Sequence, residues 1–167
     1  MVRRRGLVLL VVGWALVAGA APRTLDWVDL LPEGARATYD PAPPAPLHDY
    51  LTGEAAGLAA QQVMDFTVND KLDGAEVTLP GFIVPLELDE AGKVTEFFLV
   101  PFFGACIHVP PPPPNQLVLV SMDQGLSLDS MYTAYSITGR MTIVRTATGL
   151  GTSAYALAGH TAEEYRF

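Results

Sequence analysis

Apolar residues follow three regimes along the chain. Gly6 to Val17 is an almost unbroken hydrophobic run behind Arg3, Arg4 and Arg5, and Ala18-Gly19-Ala20 closes it with small residues. A basic start, a short apolar centre and an A-x-A ending predict an export signal over residues 1–20, cut after Ala20. The run is shorter than the roughly 20 apolar residues of a spanning helix. No membrane span is therefore expected in the chain that follows.

Between residues 21 and 49 the pattern has no period. Pro32, Pro41, Pro43, Pro44 and Pro46 interrupt any regular element, so this stretch reads as an extended Pro-rich arm. Leu25 to Leu31 is its apolar anchor, with Trp27 and Leu30 or Leu31 expected to pack onto the domain body. Leu51, Ala55, Leu58, Ala59, Gln62 and Val63 then recur at roughly helical spacing. They predict one short helix over about 52–64, weakened by Gly53 and Gly57.

From Asp70 onward strands and turns take over. Ala75 to Leu88 is β-rich with a kink at Pro80-Gly81, and Asp89 to Lys93 is a hairpin loop that returns Val94 to Val100. Gln116 to Met122, Ser136 to Arg145 and Ser153 to His160 complete the set, with Gly139 where a bent strand needs a glycine. Residues 50–167 thus predict a mainly β domain: a small five-stranded antiparallel OB-like barrel behind one short N-terminal helix. A β-sandwich stays open, because strand count and spacing do not settle closure.

Charge narrows the partners. The chain has 10 Lys and Arg against 18 Asp and Glu. Residues 1–20 hold three arginines and no acid, which leaves 7 basic against 18 acidic residues, a net −11, once they are removed. Such a surface repels phosphate backbones and anionic lipid, so no nucleic acid is expected on this barrel. Barrel topology by itself does not assign a ligand.

Candidate chemistry concentrates in Gly104-Ala105-Cys106-Ile107-His108-Val109, followed by Pro110 to Pro114 and Asn115-Gln116. Cys106 is the single cysteine, so no intramolecular disulfide exists. Thiolate and imidazole are ligands that suit zinc and copper, and residues i and i+2 of a strand share a face. Cys106 and His108 are therefore the candidate metal ligands, zinc the candidate ion. A full site normally needs four ligands, and His160, Glu87, Asp89 or His48 would have to come from other segments. The competing reading makes Cys106 a small core hydrophobe among Phe102, Phe103, Ala105 and Ile107, with His108 fixing the loop. A third makes it a reactive thiol, which burial disfavours.

The five prolines cannot be interior strand or helix. They read either as an exposed polyproline ligand or as a packed wall beside Cys106, with the amides of Asn115 and Gln116 satisfying carbonyls that lack ladder partners. No G-x-S-x-G, H-E-x-x-H, Walker or dinucleotide loop occurs, and no enzyme is expected. Asp123, Asp129, Glu163 and Glu164 read as solvated charge, and His160 as a surface or capping residue.

Trp27-Val28-Asp29-Leu30-Leu31-Pro32, Pro80-Gly81-Phe82-Ile83-Val84-Pro85 and above all Phe98 to Pro112 with Asn115-Gln116 resemble an uncharacterised bacterial family. It is a domain of unknown function found in exported proteins or lipoproteins. Its Gly104 to Gln116 motif places Cys106, His108, Asn115 and Gln116 at the motif positions. The resemblance implies a periplasmic location and a gene neighbourhood of ABC-transporter components in zinc-responsive clusters. This chain lacks a lipobox cysteine, so a protein free of lipid is expected after cleavage. The reading that follows is a periplasmic accessory protein that binds zinc or another transition metal, or docks to ABC-transporter components. A metal-free interaction module and an extracytoplasmic thiol enzyme are the alternatives.

Overall fold

A computed structural model describes residues 21–39, 62–106, 110–130 and 132–166. Six strands lie among them: β1 (Arg23–Thr24), β2 (Glu76–Leu88), β3 (Val94–Val100), β4 (Val118–Leu126), β5 (Ala134–Ala147) and β6 (Thr152–Glu164). In β2 alternate residues Val77, Leu79, Gly81 and Ile83 are buried, the period of a strand with one face on a core.

β2 also makes the barrel corner. Its first half pairs with β5 and its second half with β3, and Phe82 is the shared residue, opposite both Ala134 and Val100. The kink expected at Pro80-Gly81 sits beside this exchange. A Cβ on Gly81 would stand 2.7 Å from the Val100 carbonyl and 3.0 Å from the Trp27 ring, so only glycine lets the strand turn there.

The strands close in the order β2-β3-β4-β6-β5 and back to β2. This is the OB connection, in which the last strand inserts between the third and the fourth. The barrel is mixed rather than antiparallel throughout, because β4 and β6 run parallel, Val118 to Ser121 against Tyr155 to Ala158. The reason is topological. Alternation of direction cannot be maintained around a closed ring with an odd number of strands, so one neighbouring pair must be parallel.

Val77, Leu79, Phe97, Leu99, Val118, Val120, Ile137, Met141 and Leu157 fill the interior. The arm closes one end. Leu25 and Leu30 pack into the same core, and the Leu25 amide donates to the Thr78 carbonyl at 2.9 Å. Each such leucine contributes about 1.5–3 kcal/mol by leaving water. Trp27–Leu30 forms a 3-10 turn that places Trp27 over Gly81.

All helical turns among the described residues are of this 3-10 type. The helix expected over about 52–64 is not continued at residues 62–64, which are irregular; residues 52–61 lie outside the described residues. The Gln62 side chain there is hydrogen-bonded to Pro112 and Thr152, tying the chain to a loop and to β6 instead.

Candidate functional site

The outer face of β2, β3 and β4 carries a second apolar cluster of Val84, Phe98, Val100 and Leu117. Exposed, it would be a hydrophobic patch; instead residues of the stretch 102–106 lie against it. Ala105 is fully buried there, and Phe102 and Cys106 pack against it. In OB barrels the face formed by the second and third strands, here β3 and β4, is the usual ligand platform. In this chain Phe102, Ala105 and Cys106 occupy part of that platform.

Gly104 and Cys106 both take left-handed backbone, at φ 86° and φ 64°. Glycine adopts this freely; a cysteine does so at a cost of order 1 kcal/mol or more, and is held there by its surroundings. Cys106 is half-buried, and desolvation pushes its thiol up to about 12. At neutral pH it is a protonated thiol against hydrocarbon, which weighs against the reactive-thiol reading.

Three amide side chains bolt the proline segment down. Pro112 and Pro114 are buried, as a packed wall requires. The Pro112 carbonyl accepts from Gln62 Nε2 at 2.6 Å, while Gln62 also bonds both the backbone carbonyl and the backbone amide of Thr152. Asn115 and Gln116 are 2% and 5% exposed, which marks them as structural amides. Asn115 Nδ2 donates to the Thr67 carbonyl at 3.0 Å, and its backbone amide donates to the Asp65 carbonyl at 3.2 Å. Gln116 Nε2 donates to the carbonyls of Trp27 and Asn115. Both residues were expected to serve carbonyls that lack ladder partners, and the carbonyls they serve, of Thr67, Trp27 and Asn115, lie outside the strands. They hold the 65–67 strap and the arm, and Gln62 takes the proline. Sequence reasoning missed Gln62 because a glutamine in an alanine-rich window carries no signal of its partner 50 residues away.

His108 and His48 lie outside the described residues. The other suggested ligands have separate duties. Asp89 Oδ1 accepts from the amides of Ala91 and Lys93, closing the β2–β3 hairpin. Glu87 sits at a register irregularity of β2, exposed. His160 Nε2 lies 2.5 Å from Glu76 Oε1 on the far side of β5. Among the described residues no group of three His, Cys, Asp or Glu side chains is close enough to hold a metal ion.

His160 owes its position to a bulge. Thr138 pairs with Thr161 but Gly139 pairs with Gly159, so β6 carries one extra residue, His160, aimed outward. The strands approach so closely here that a Cβ on Gly139 would collide with the Ala158 carbonyl oxygen. The pair is exposed, and its setting is that of a surface ion pair.

A closed OB barrel whose end is plugged by the N-terminal arm and whose outer apolar cluster is packed by Phe102, Ala105 and Cys106 defines the class of this protein. A family model described as "Protein of unknown function (DUF3299)" matches residues 27–164, and the chain belongs to that family. It is similar to a solved DUF3299 family protein from Pseudomonas aeruginosa PAO1, at 41% sequence identity, over 89% of this chain and 99% of that one, with a TM-score of 0.73. No curated protein matches.

Proposed function

We propose that this protein is an exported, non-catalytic accessory module that acts by presenting residues 101–106 and 110–116 and the surface beside them to another protein. One observation carries the reading: Phe102, Ala105 and Cys106 pack on the outer apolar cluster, and the stretch 112–116 is fastened by the buried amides of Asn115 and Gln116 and by Gln62. A loop held this firmly loses little entropy on binding, which suits it to recognition. The export pattern of residues 1–20 and the implied transporter neighbourhood make a component of an ABC-type system the partner proposed. The test is photo-crosslinking in exporting cells, with Phe103 replaced by p-benzoylphenylalanine. A single discrete adduct is expected at Phe103 and not at Asp123, an exposed site on β4. Equal or absent labelling at the two positions refutes the module.

A second reading keeps zinc. It is favoured by Cys106, half-buried in a left-handed conformation two positions before His108. A metal would deprotonate the thiol outright, so the raised value does not oppose it. Cys106 and His108 would supply two ligands, and the remainder would come from outside the described residues or from the partner. Zinc titration of the protein, of Cys106→Ser and of His108→Ala decides it; an affinity equal in all three removes this reading.

A further inference from the structure

Beside the covered ligand face the surface opens into a cavity of about 140 Å3. Its walls are Trp27, Pro80, Phe82, Pro101, Ala134 and Tyr165. From Phe82 the aromatic surface continues outward. Phe103 meets Phe82 edge-on with centroids 6.1 Å apart, and Tyr132 lies against Phe103 at 4.7 Å. Phe103 is 43% exposed and Tyr132 76%, so the chain keeps a tilted aromatic pair, 32° between ring planes, in water at the lip of an apolar cavity.

The walls are set before any partner arrives. Trp27 Nε1 donates to the Pro80 carbonyl at 2.7 Å, the Tyr165 amide donates to the Ala134 carbonyl at 2.8 Å, and Gly81 makes the floor under the Trp27 ring. The indole N–H is already engaged, so the cavity recognises apolar shape. Its rim is acidic. Asp26 precedes Trp27, Glu164 precedes Tyr165, and Asp129 lies three residues before Tyr132, all exposed. Arg166 is the neighbouring base, and it faces Glu164 at 3.7 Å.

We infer that this cavity and the Phe103–Tyr132 step are the docking site for a basic segment of a partner protein, one that seats an aliphatic or proline side chain between Trp27 and Phe82 and lays a lysine or arginine over Phe103 and Tyr132. Two physical terms select a cation independently. The chain carries 18 acidic residues against 10 basic ones, and exposed aromatic faces attract cationic heads. The same charge disfavours a second copy of this chain and an anionic membrane. The inference rests on the accessory-module reading and specifies its surface.

Trp27 provides the readout. The chain has two tryptophans, Trp14 and Trp27, so in full-length Trp14→Phe the emission comes from the cavity wall alone. The probe is a capped peptide of lysines and prolines around a central leucine, with a counterpart in which glutamates replace the lysines. A saturable change in emission is expected with the basic peptide alone. It should weaken at least tenfold in Phe103→Ser/Tyr132→Ser, and severalfold between 50 and 500 mM salt. Tyr132→Ser by itself, at a mostly exposed position, serves if the double variant unfolds. No saturable change, an equal response to the acidic peptide, or unchanged affinity in the folded variant overturns the site. So does a dimer that forms with concentration in sedimentation and abolishes the peptide response. A crosslink at Phe103 together with a silent peptide would refute the partner chemistry while leaving the module standing.

Discussion

The Tyr155 hydroxyl donates to the Leu30 carbonyl at 2.6 Å and accepts from the Asn69 amide at 2.7 Å. One phenol from the last strand thereby ties together the N-terminal arm and the strap that leads into β2. Tyr155 is fully buried, and burial is the main cause that pushes its hydroxyl up to about 12. Tyr155→Phe leaves the Asn69 amide and the Leu30 carbonyl to pair only with each other. It is expected to cost about 1–3 kcal/mol in urea unfolding at pH 7.

The same group sets an alkaline limb. Its folded value lies above the ordinary tyrosine value of 10, so its contribution is complete below pH 10 and is lost as pH rises through about 12. Unfolding measured from pH 8 to 12 should show a steeper fall for the parent than for Tyr155→Phe. Parallel curves would contradict this account.

Cys106 should resist alkylation. Against an ordinary value of 9.0, a thiol pushed up to about 12 has roughly a thousandfold less thiolate at pH 8. Iodoacetamide is expected to label the native protein that much more slowly than the protein in urea. Equal rates would mean that the thiol is not packed against the β2–β4 face.

Gln62 is the test of the bolted loop. Gln62→Ala removes the bonds to the Pro112 carbonyl and to the backbone carbonyl and amide of Thr152. A loss of about 1–3 kcal/mol is expected, together with faster alkylation of Cys106 because the loop that shields it loosens. Gln62→Glu keeps the acceptor for the Thr152 amide but sets a carboxylate oxygen against the Pro112 and Thr152 carbonyl oxygens, and should cost at least as much as Gln62→Ala.

Gly139→Ala places a methyl group on the Ala158 carbonyl, which is backbone and cannot turn aside. About 3 kcal/mol of destabilisation is expected in thermal unfolding. His160→Gln and Glu76→Gln should by contrast each change little, and their double-mutant cycle should give under about 1 kcal/mol, since both side chains are solvated.

The amino-acid sequence by itself determined where the five barrel strands lie, though not β1, and also the corner at Pro80-Gly81, the hairpin at Asp89 to Lys93 and the need for glycine at 139. These depend on alternation, on ring and Cβ sterics and on turn chemistry, all of which act within a few residues. It also marked 104–116 as unusual, and the arm's Leu25 to Leu31 as an apolar anchor. Tertiary structure alone decided that β6 inserts in parallel beside β4, since closure of an odd ring is a property of the whole sheet. It alone joined Gln62 to Pro112, Tyr155 to Leu30, and Trp27, Phe82, Phe103 and Tyr132 into one surface. The Gln62–Pro112 and Tyr155–Leu30 bonds cross 50 and 125 residues, and the ring contacts Phe82–Phe103 and Phe103–Tyr132 cross 21 and 29. No local rule of spacing or propensity specifies a contact whose partners meet only after the chain has closed on itself.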